Sequence, residues 1–184
     1  MNNRRSFITG IKSTKLSLKE KKFLMNYKPW GVILFTRNIR SIKQTQKLTS
    51  AIRKIFNDKK YPILIDQEGG RVNRLKNIIS FDFLTSEFFG KKYVKNPIEF
   101  KFFYKLFIDK ISFLLKSIGA NINTVPVLDL RIKGSSGIIG NRSFSNNPKI
   151  VSKIGDYCIQ NFHENGIGSV IKHIPGHGLA KVDS

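Results

Sequence analysis

Residues 62–71 of the chain have the sequence Pro-Ile-Leu-Ile-Asp-Gln-Glu-Gly-Gly-Arg, in which an apolar run ends abruptly in polar residues. Consecutive large aliphatic residues, at positions 63 to 65, are typical of a strand that is buried on both faces, as in a parallel sheet. Glycines at positions 69 and 70 then allow a sharp turn. This stretch therefore predicts a parallel strand whose carboxyl end carries polar side chains.

Short apolar runs alternate with longer amphipathic segments on both sides of this stretch, which is the pattern of parallel strands joined by helices. We predict strands at 7–11, 31–35, 62–66, 121–128 and 168–173. Helices are predicted at 18–27, directly after Ser17, and at 41–56, 98–118 and 148–164, with a long connection before the third of them. In that third helix, the residues expected to face the core are Ile98, Phe102, Leu106, Ile111, Leu114, Leu115 and Ile118.

Five strands and four helices in alternation predict an α/β fold of the (β/α)8 TIM-barrel type in truncated form, because a closed barrel needs eight units and about 250 residues. An open, doubly wound sheet is the alternative, but the first strand lacks the glycine fingerprint of a dinucleotide site. The polar residues that follow the strand ends would meet at the one face where barrels build their sites. We therefore expect residues 1–184 to form a single, incomplete barrel domain.

The formal net charge of +21 would suit a polyanionic partner, since clustered Lys and Arg gain free energy on phosphate backbones. The lysines, however, recur through every segment without a basic tail, so we interpret them as solvated helix faces and expect no nucleic-acid partner. No apolar run is long enough to cross a membrane and no signal-peptide core follows the N-terminus, so we expect a cytoplasmic protein without a membrane partner. The single cysteine, Cys158, excludes an internal disulfide and a Cys-based metal site and is expected in the core.

The most specific motif is Lys172-His173-Ile174-Pro175-Gly176-His177-Gly178. Its proline and glycines rule out an ordinary helix, so a strand is predicted to run into a tight turn with two imidazoles and an ammonium group at its mouth. Three interpretations remain open. His173 and His177 could bind a metal, although no helix brings them onto one face. They could instead hydrogen-bond the backbone of the turn, or Lys172 and His173 could donate hydrogen bonds to hydroxyl groups or an acetamide carbonyl of a sugar.

A second cluster of polar residues surrounds the glycines at positions 69 and 70. Asp66 at the strand end, flexible backbone and then arginines form a rim suited to binding hydroxyl groups. Asp66 and Glu68 could be the paired carboxylates of a glycosidase. We favour a structural interpretation of Glu68, as the partner of Arg71 or Arg74.

A third cluster occupies residues 140–144, after a glycine-rich loop. Arg142 in this cluster could reach a ligand, or it could pair with Asp129 at the neighbouring strand end. The sequence leaves both interpretations open.

Taken together, these motifs resemble the family-three glycoside hydrolases, and most closely the bacterial β-N-acetylhexosaminidases of cell-wall recycling. The resemblance runs over essentially the whole chain and rests on GVILFTRNI at 31–39, IDQEGGRVNRL at 65–75, VPVLD at 125–129, GNRSF at 140–144 and KHIPGHG at 172–178. It implies a retaining barrel enzyme that removes terminal β-linked N-acetylglucosamine from peptidoglycan (muropeptide) fragments without a cofactor or metal. It also implies that the sugar is bound by Asp66, Arg74, Arg142, Lys172 and His173.

In the family, the loop that contains the histidine-rich motif ends in Asp-Ser-His, where the His is the general acid/base and the Asp orients it. Asp183 and Ser184 match the first two positions. The resemblance therefore implies that Asp183 orients an acid/base His that this chain lacks, together with the nucleophilic Asp. We expect the 184-residue chain to be inactive by itself, with a carbohydrate and, as a candidate, the missing C-terminal half of the barrel as its partners. The alternatives are an inactive sugar-binding remnant and a β-glucosidase of the same family.

Overall fold

The computed structural model describes residues 4–134 and 137–180, and within them five strands alternate with α-helices. The strands are β1 (Arg5–Gly10), β2 (Pro29–Leu34), β3 (Ile63–Ile65), β4 (Ile122–Asn123) and β5 (Gly168–Ser169). The α-helices are α1 (Leu18–Tyr27), α2 (Ile42–Phe56), α3 (Ser86–Lys95), α4 (Pro97–Ile118) and α5 (Pro148–Glu164). Short 3-10 helices occupy Thr36–Asn38 and Gly140–Arg142. The α/β fold predicted from the sequence is confirmed.

The strands form one parallel sheet in which the strand order equals the chain order, from β1 to β5. Residues paired across neighbouring strands are Ile8 with Gly31, Val32 with Ile63, Leu64 with Ile122, and Ile122 with Gly168. Each crossover therefore adds one strand beside the last, as in a (β/α) barrel. Because all strands are parallel, the residues that follow them lie at the same edge of the sheet.

β4 and β5 are shorter than the segments 121–128 and 168–173 that were predicted for them. The ladder is interrupted after β4, where the backbone N–H of Val125 donates to the carbonyl of Asn123 at 2.9 Å instead of to the neighbouring strand. The two segments nevertheless stay side by side. The backbone N–H of Leu128 donates to the carbonyl of Lys172 at 2.7 Å, and that of Lys172 donates to the carbonyl of Pro126 at 3.2 Å. The pairing thus continues, as isolated hydrogen bonds, beyond the ends of both strands.

Polar capping residues and a glycine fix where the helices begin and end. Ser17 and Glu20 form a capping box at the start of α1, in which the Glu20 carboxylate accepts from the backbone N–H of Ser17 at 2.8 Å. Asn96 has extended backbone, which ends α3, and its side chain caps the start of α4. Gly119 ends α4 with a φ of 80°, a left-handed conformation that favours glycine.

α3 is a helix that the sequence analysis did not separate from the long connection, so the described residues contain five α-helices instead of the four predicted. Thr85 caps its start by accepting from the backbone N–H of Phe88 at 3.0 Å. The helix packs closely on the segment after the second 3-10 helix. A Cβ atom on Gly90 would lie 1.7 Å from the carbonyl oxygen of Phe144. Only glycine fits this crossing.

The core face of α4 differs from the predicted one. Ile98, Phe102 and Leu106 are 84%, 63% and 51% exposed. At 3.6 residues per turn these three lie on the opposite side of the helix from Ile111 and Ile118, so the predicted stripe joined two faces. The buried residues of α4 are Phe100, Tyr104, Phe107, Ile108, Ile111, Ser112, Leu114, Leu115 and Ile118.

Cys158 lies in α5 and is 1% exposed, which confirms it as a core residue. Burial raises the pKa of its thiol to about 12, so the sulfur stays protonated and unreactive at neutral pH. Within the described ranges, none of the helices is both long and apolar enough to traverse a lipid bilayer.

Candidate functional site

Side chains that follow β3, β4 and β5 meet at the carboxyl edge of the sheet. Asp66 follows β3 and Thr124 follows β4, while Lys172 lies beyond β5. The hydroxyl of Thr124 donates to Asp66. Nζ of Lys172 lies 3.2 Å from Oδ1 of Asp66 and 3.2 Å from Oγ1 of Thr124. Arg74 donates to the other carboxylate oxygen of Asp66 at 3.2 Å. The parallel topology thus brings together three segments that are far apart in the sequence.

Glu68 extends this network to Arg142. Nε and Nη2 of Arg142 donate to the two carboxylate oxygens of Glu68 at 2.8 and 2.9 Å, a bidentate pair. Nζ of Lys172 lies 2.6 Å from Oε1 of the same carboxylate. Charges of alternating sign therefore run without a break from Arg74 through Asp66, Lys172 and Glu68 to Arg142. These five residues are named the alternating charge series.

The favoured partners of Glu68 were wrong, and Arg142 has a direct partner that neither of its two open interpretations named. Glu68 pairs with Arg142 and Lys172 instead of Arg71 or Arg74, and Arg142 takes Glu68 as its direct partner instead of Asp129. The reason is the turn that follows Glu68, whose backbone N–H donates to the carbonyl of Val72 at 3.1 Å and so reverses the chain. The turn carries Arg71 toward residues 137–139, where it donates to all three backbone carbonyls, at 2.8 Å for Gly137 and 3.1 Å for Ile139.

Two features hold the backbone between Asp66 and Glu68 in place. Asn123, a buried residue of β4, accepts from the backbone N–H of Gln67 at 2.9 Å and donates to its carbonyl at 3.0 Å. Gly69 has a φ of 92°, and a Cβ atom there would lie 2.3 Å from the carbonyl oxygen of Leu84. The sequence analysis missed the roles of Asn123 and Thr124. Their signal is two polar residues inside a stretch predicted as a buried strand.

The network favours the ionised forms of Asp66 and Arg142. Burial of Asp66 opposes ionisation, but the attraction of Lys172 and the hydrogen bonds from Thr124, Lys172 and Arg74 outweigh it and hold the pKa of Asp66 below its ordinary value of 3.8. Burial likewise disfavours the charged form of Arg142, and the hydrogen bonds to Glu68 reverse this and raise its pKa. An ionised carboxylate only accepts hydrogen bonds, and the neighbouring cations only donate them. Together they can bind a polyhydroxy ligand through directed hydrogen bonds.

His173 is held beside this series by Asp129. Oδ2 of Asp129 lies 2.5 Å from Nδ1 of His173 and accepts from the backbone N–H of the same residue at 3.2 Å. Oδ1 of Asp129 accepts from the backbone N–H of His177. Burial opposes the ionisation of Asp129, but the hydrogen bonds from the two histidines outweigh it and keep its pKa below 3.8. Both ends of the turn at 173–177 therefore contact the same buried carboxylate.

The structure joins four of the residues predicted to bind a ligand in direct contacts, with the fifth next in the chain. Asp66, Arg74, Arg142 and Lys172 all belong to the alternating charge series, and His173 follows Lys172. That these residues bind a sugar stays a prediction. Asp183, predicted to orient an acid/base His, lies outside the described residues.

Comparison with known proteins identifies relatives over almost the entire chain. The model of the glycosyl hydrolase family 3 N-terminal domain matches residues 7–184. A β-hexosaminidase of Hydrogenovibrio crunogenus is 36% identical over 177 residues, which cover 96% of this chain and 49% of that protein. A β-hexosaminidase of Thioalkalivibrio sulfidiphilus is 33% identical over 95% of this chain and 49% of that protein. The chain thus spans about half the length of these relatives.

Solved structures have the same fold. NagZ from Neisseria gonorrhoeae, in complex with N-trifluoroacetyl-D-glucosamine, superposes with a TM-score of 0.87 at 29% identity, covering 98% of this chain and 53% of that one. A glycoside hydrolase family 3 β-N-acetylglucosaminidase from Paenibacillus sp. superposes with a TM-score of 0.82 at 27% identity, covering 97% of this chain and 33% of that one. The predicted TIM-barrel class is confirmed by these similarities. Because the family model spans residues 7–184, this chain belongs to glycosyl hydrolase family 3, to whose N-terminal domain it corresponds.

Proposed function

We propose that the complete protein is a retaining β-N-acetylglucosaminidase that releases terminal β-linked N-acetylglucosamine from peptidoglycan (muropeptide) fragments. The observation that carries the proposal is the alternating charge series at the carboxyl edge of β3 to β5. Directed hydrogen bonds of this kind fix the orientation of a neutral, hydroxyl-rich ligand in a pocket. The relatives support the choice of sugar, since two are β-hexosaminidases and the NagZ structure holds N-trifluoroacetyl-D-glucosamine.

In this proposal each member of the site has a distinct part in holding the sugar. Asp66 accepts hydrogen bonds from hydroxyl groups, while Arg74, Arg142 and Lys172 donate to hydroxyl or acetamide oxygens. His173 adds a further contact beside Lys172. The ion pairs within the series orient these groups before the ligand arrives, which reduces the entropy lost on binding.

The proposed chemistry is a double displacement. A nucleophilic Asp attacks the anomeric carbon while an acid protonates the leaving oxygen, and water then hydrolyses the glycosyl-enzyme. We assign the acid/base His and the nucleophile to the part of the protein that follows Ser184, with Asp183 orienting the His. Binding that is equally strong in the ground state and the transition state does not lower the barrier. The 184-residue chain is therefore proposed to bind the sugar without turning it over.

The test compares release of the aglycone from an aryl N-acetylglucosaminide by the 184-residue chain and by a version extended through the remaining barrel strands. We expect the extended version to prefer this substrate to the aryl glucoside, and the short chain to be slower by at least the 10² to 10⁴-fold that acid–base catalysis typically contributes. Rates within about tenfold of each other would place the catalytic groups in the short chain. Faster turnover of the glucoside would favour a β-glucosidase, and binding without turnover by both would favour a sugar-binding remnant.

Asp66→Ala tests the sugar site itself. In the extended version we expect kcat/KM to fall by about 30-fold or more, because a charge-assisted hydrogen bond to a ligand contributes about 2 kcal/mol. Asp156→Ala removes an exposed carboxylate on α5 and is the matched control, with unchanged kinetics expected. Unchanged kinetics in a folded Asp66→Ala variant would remove Asp66 from the site.

A further inference from the structure

Asp129 closes the turn at 173–177 from both ends. One carboxylate oxygen lies 2.5 Å from Nδ1 of His173 and 3.2 Å from its backbone nitrogen, and the other accepts from the backbone N–H of His177. The side chain of Asp129 is 0% exposed, whereas that of His173 is 34% exposed. The buried carboxylate of Asp129 thus contacts the Nδ1 edge of the His173 ring, while the rest of the ring remains partly exposed to a ligand.

The turn also packs tightly on the backbone next to Asp129. A Cβ atom on Gly178 would lie 2.6 Å from the carbonyl oxygen of Leu130. On the other side, the carbonyl of Lys172 accepts from the backbone N–H of Leu128 at 2.7 Å. The backbone on both sides of His173 is therefore fixed against residues 128–130, which leaves the imidazole little freedom to leave Asp129.

The partner of Nδ1 decides which ring nitrogen carries the proton. An ionised carboxylate has no hydrogen to donate, so it can only accept from Nδ1–H. A neutral imidazole carries one N–H group. The hydrogen-bond partner of each ring nitrogen decides which of the two nitrogens carries that hydrogen. With the proton on Nδ1, Nε2 of a neutral His173 has a free lone pair and no hydrogen.

We propose that Asp129 is a positioning residue, which holds His173 as the Nδ1–H tautomer so that Nε2 accepts a hydrogen bond from a hydroxyl group of the sugar. His173 then acts as an acceptor beside the donors Lys172 and Arg142, in contrast to the donor role considered from the sequence. The nature of the ligand rests on the proposed function, whereas the hold of Asp129 on the ring does not.

The tautomer is measured directly by long-range 1H–15N NMR spectra of the imidazole rings. The chain has three histidines, so His163→Gln and His173→Phe variants assign the signals. On the alkaline plateau of the ring signals, where they no longer change with pH, we expect His173 to be in the Nδ1–H form. Asp129→Asn should lower the population of this form. The amide NH2 group faces the N–H groups of His173 in one orientation, and in the other it faces the backbone N–H of His177, so neither orientation reproduces both contacts of the carboxylate. Asp156→Asn, on the exposed face of α5, is the matched control and should change nothing.

A double-mutant cycle then separates positioning from a purely structural role. Titration with N-acetylglucosamine should show an affinity about tenfold lower in Asp129→Asn than in the wild type. In a His173→Phe background the same substitution should change the affinity less than about twofold, since the ring through which Asp129 acts is gone. An equal loss in both backgrounds would overturn the positioning role.

Two other outcomes are decisive. The Nε2–H form of His173 in the wild type would overturn the proposal. This measurement needs no variant, so the proposal can be tested even if Asp129→Asn does not fold. A wild-type chain that shows the Nδ1–H form but binds no N-acetylglucosamine would contradict the proposed function and the acceptor role of Nε2. It would leave the hold of Asp129 on the ring supported.

Discussion

Glu68 is the most enclosed charge of the alternating charge series. Its side chain is 3% exposed, and its two cationic partners, Arg142 and Lys172, are each 15% exposed. In such surroundings the loss of one partner is costly, because the remaining charges keep their desolvation penalty and lose the attraction that offsets it. Glu68 is therefore the residue on which the stability of the site depends most.

We expect Glu68→Gln to lower the free energy of unfolding by about 3 kcal/mol, the range for a broken buried ion pair. Asp109→Asn breaks the exposed pair with Lys105 on α4 and should cost less than about 1 kcal/mol. Both values come from urea titrations monitored by circular dichroism. Equal losses in the two variants would mean that Glu68 is screened by solvent as Asp109 is.

Asp66 and Asp129 should make the protein sensitive to acid. Their pKa values in the folded chain lie below 3.8, so the unfolded state binds more protons as the pH falls. The stabilisation is therefore complete above the unfolded value and is lost as the pH drops through the lower, folded values. We expect the free energy of unfolding to be flat above about pH 5 and to decline below it.

The double variant Asp66→Asn and Asp129→Asn provides the control for this pH dependence. It lacks both carboxylates, so its free energy of unfolding should decline with a shallower slope than that of the wild type. Parallel slopes would assign the acid sensitivity to other carboxylates.

At the scale of elements, α3 supports the site by packing on the backbone next to Arg142. It packs on the segment that follows Arg142, and Gly90 is the point of closest approach, beside the carbonyl of Phe144. The rings of Phe89 and Tyr104 lie 4.6 Å apart between their centroids, which joins α3 to α4. The position of Arg142 thus depends on a helix that contributes no ligand of its own.

Gly90→Ala separates packing from helix propensity. Propensity alone predicts that alanine stabilises a helix by about 1 kcal/mol. We expect the opposite, a loss of about 1 to 3 kcal/mol from the clash with the Phe144 carbonyl, together with weaker sugar binding. Gly137→Ala, in a turn, controls only for the loss of a glycine without a clash, since a Cβ atom there meets nothing within 4 Å. A more stable Gly90→Ala variant would show that α3 can move away without cost.

Elements with strong local signals were predictable from the sequence. The apolar run of β3 and the serine caps before α1 and α2 mark these elements by themselves. α3 was missed because its start and end depend on Thr85 and Asn96 inside a long connection. The set of candidate site residues came from the family resemblance, and the position of Asp66 and Lys172 after strands predicted that they meet at one edge of the sheet. The partners of Glu68 could not be predicted, because they follow from how a turn reverses the chain. Asn123 shows the same limit, since its amide binds the backbone of Gln67, which is 56 residues away in the sequence.

At the scale of the whole molecule, the charge of the site differs from that of the chain. The alternating charge series contains three cations and two carboxylates and thus contributes +1 to the net +21. The remaining positive charge is spread over the other segments. The positive and negative charges of the site nearly cancel. Binding of a neutral sugar there should therefore depend little on the electrostatic field of the rest of the protein.

We expect the affinity for N-acetylglucosamine to change less than about twofold between roughly 50 and 500 mM salt, since short, partly buried pairs are weakly screened. Any retention of a DNA duplex should fall steeply over the same range, as counterion release requires. Both are measured by titration on the same preparation. A sugar affinity that falls as steeply as the DNA affinity would place the sugar on the exposed lysines.

The strand order has a consequence for synthesis on the ribosome. Each strand pairs only with its neighbours in the sequence, so a nascent chain can add one strand and helix at a time. The pair of Asp66 with Arg74 is local, but the pair of Asp66 with Lys172 must wait, because these two residues are 106 residues apart. At about 5 to 20 residues per second, Asp66 is exposed without its lysine for roughly 5 to 20 seconds. Strands β1 to β4 can thus pair during translation before Lys172 reaches Asp66 and Glu68.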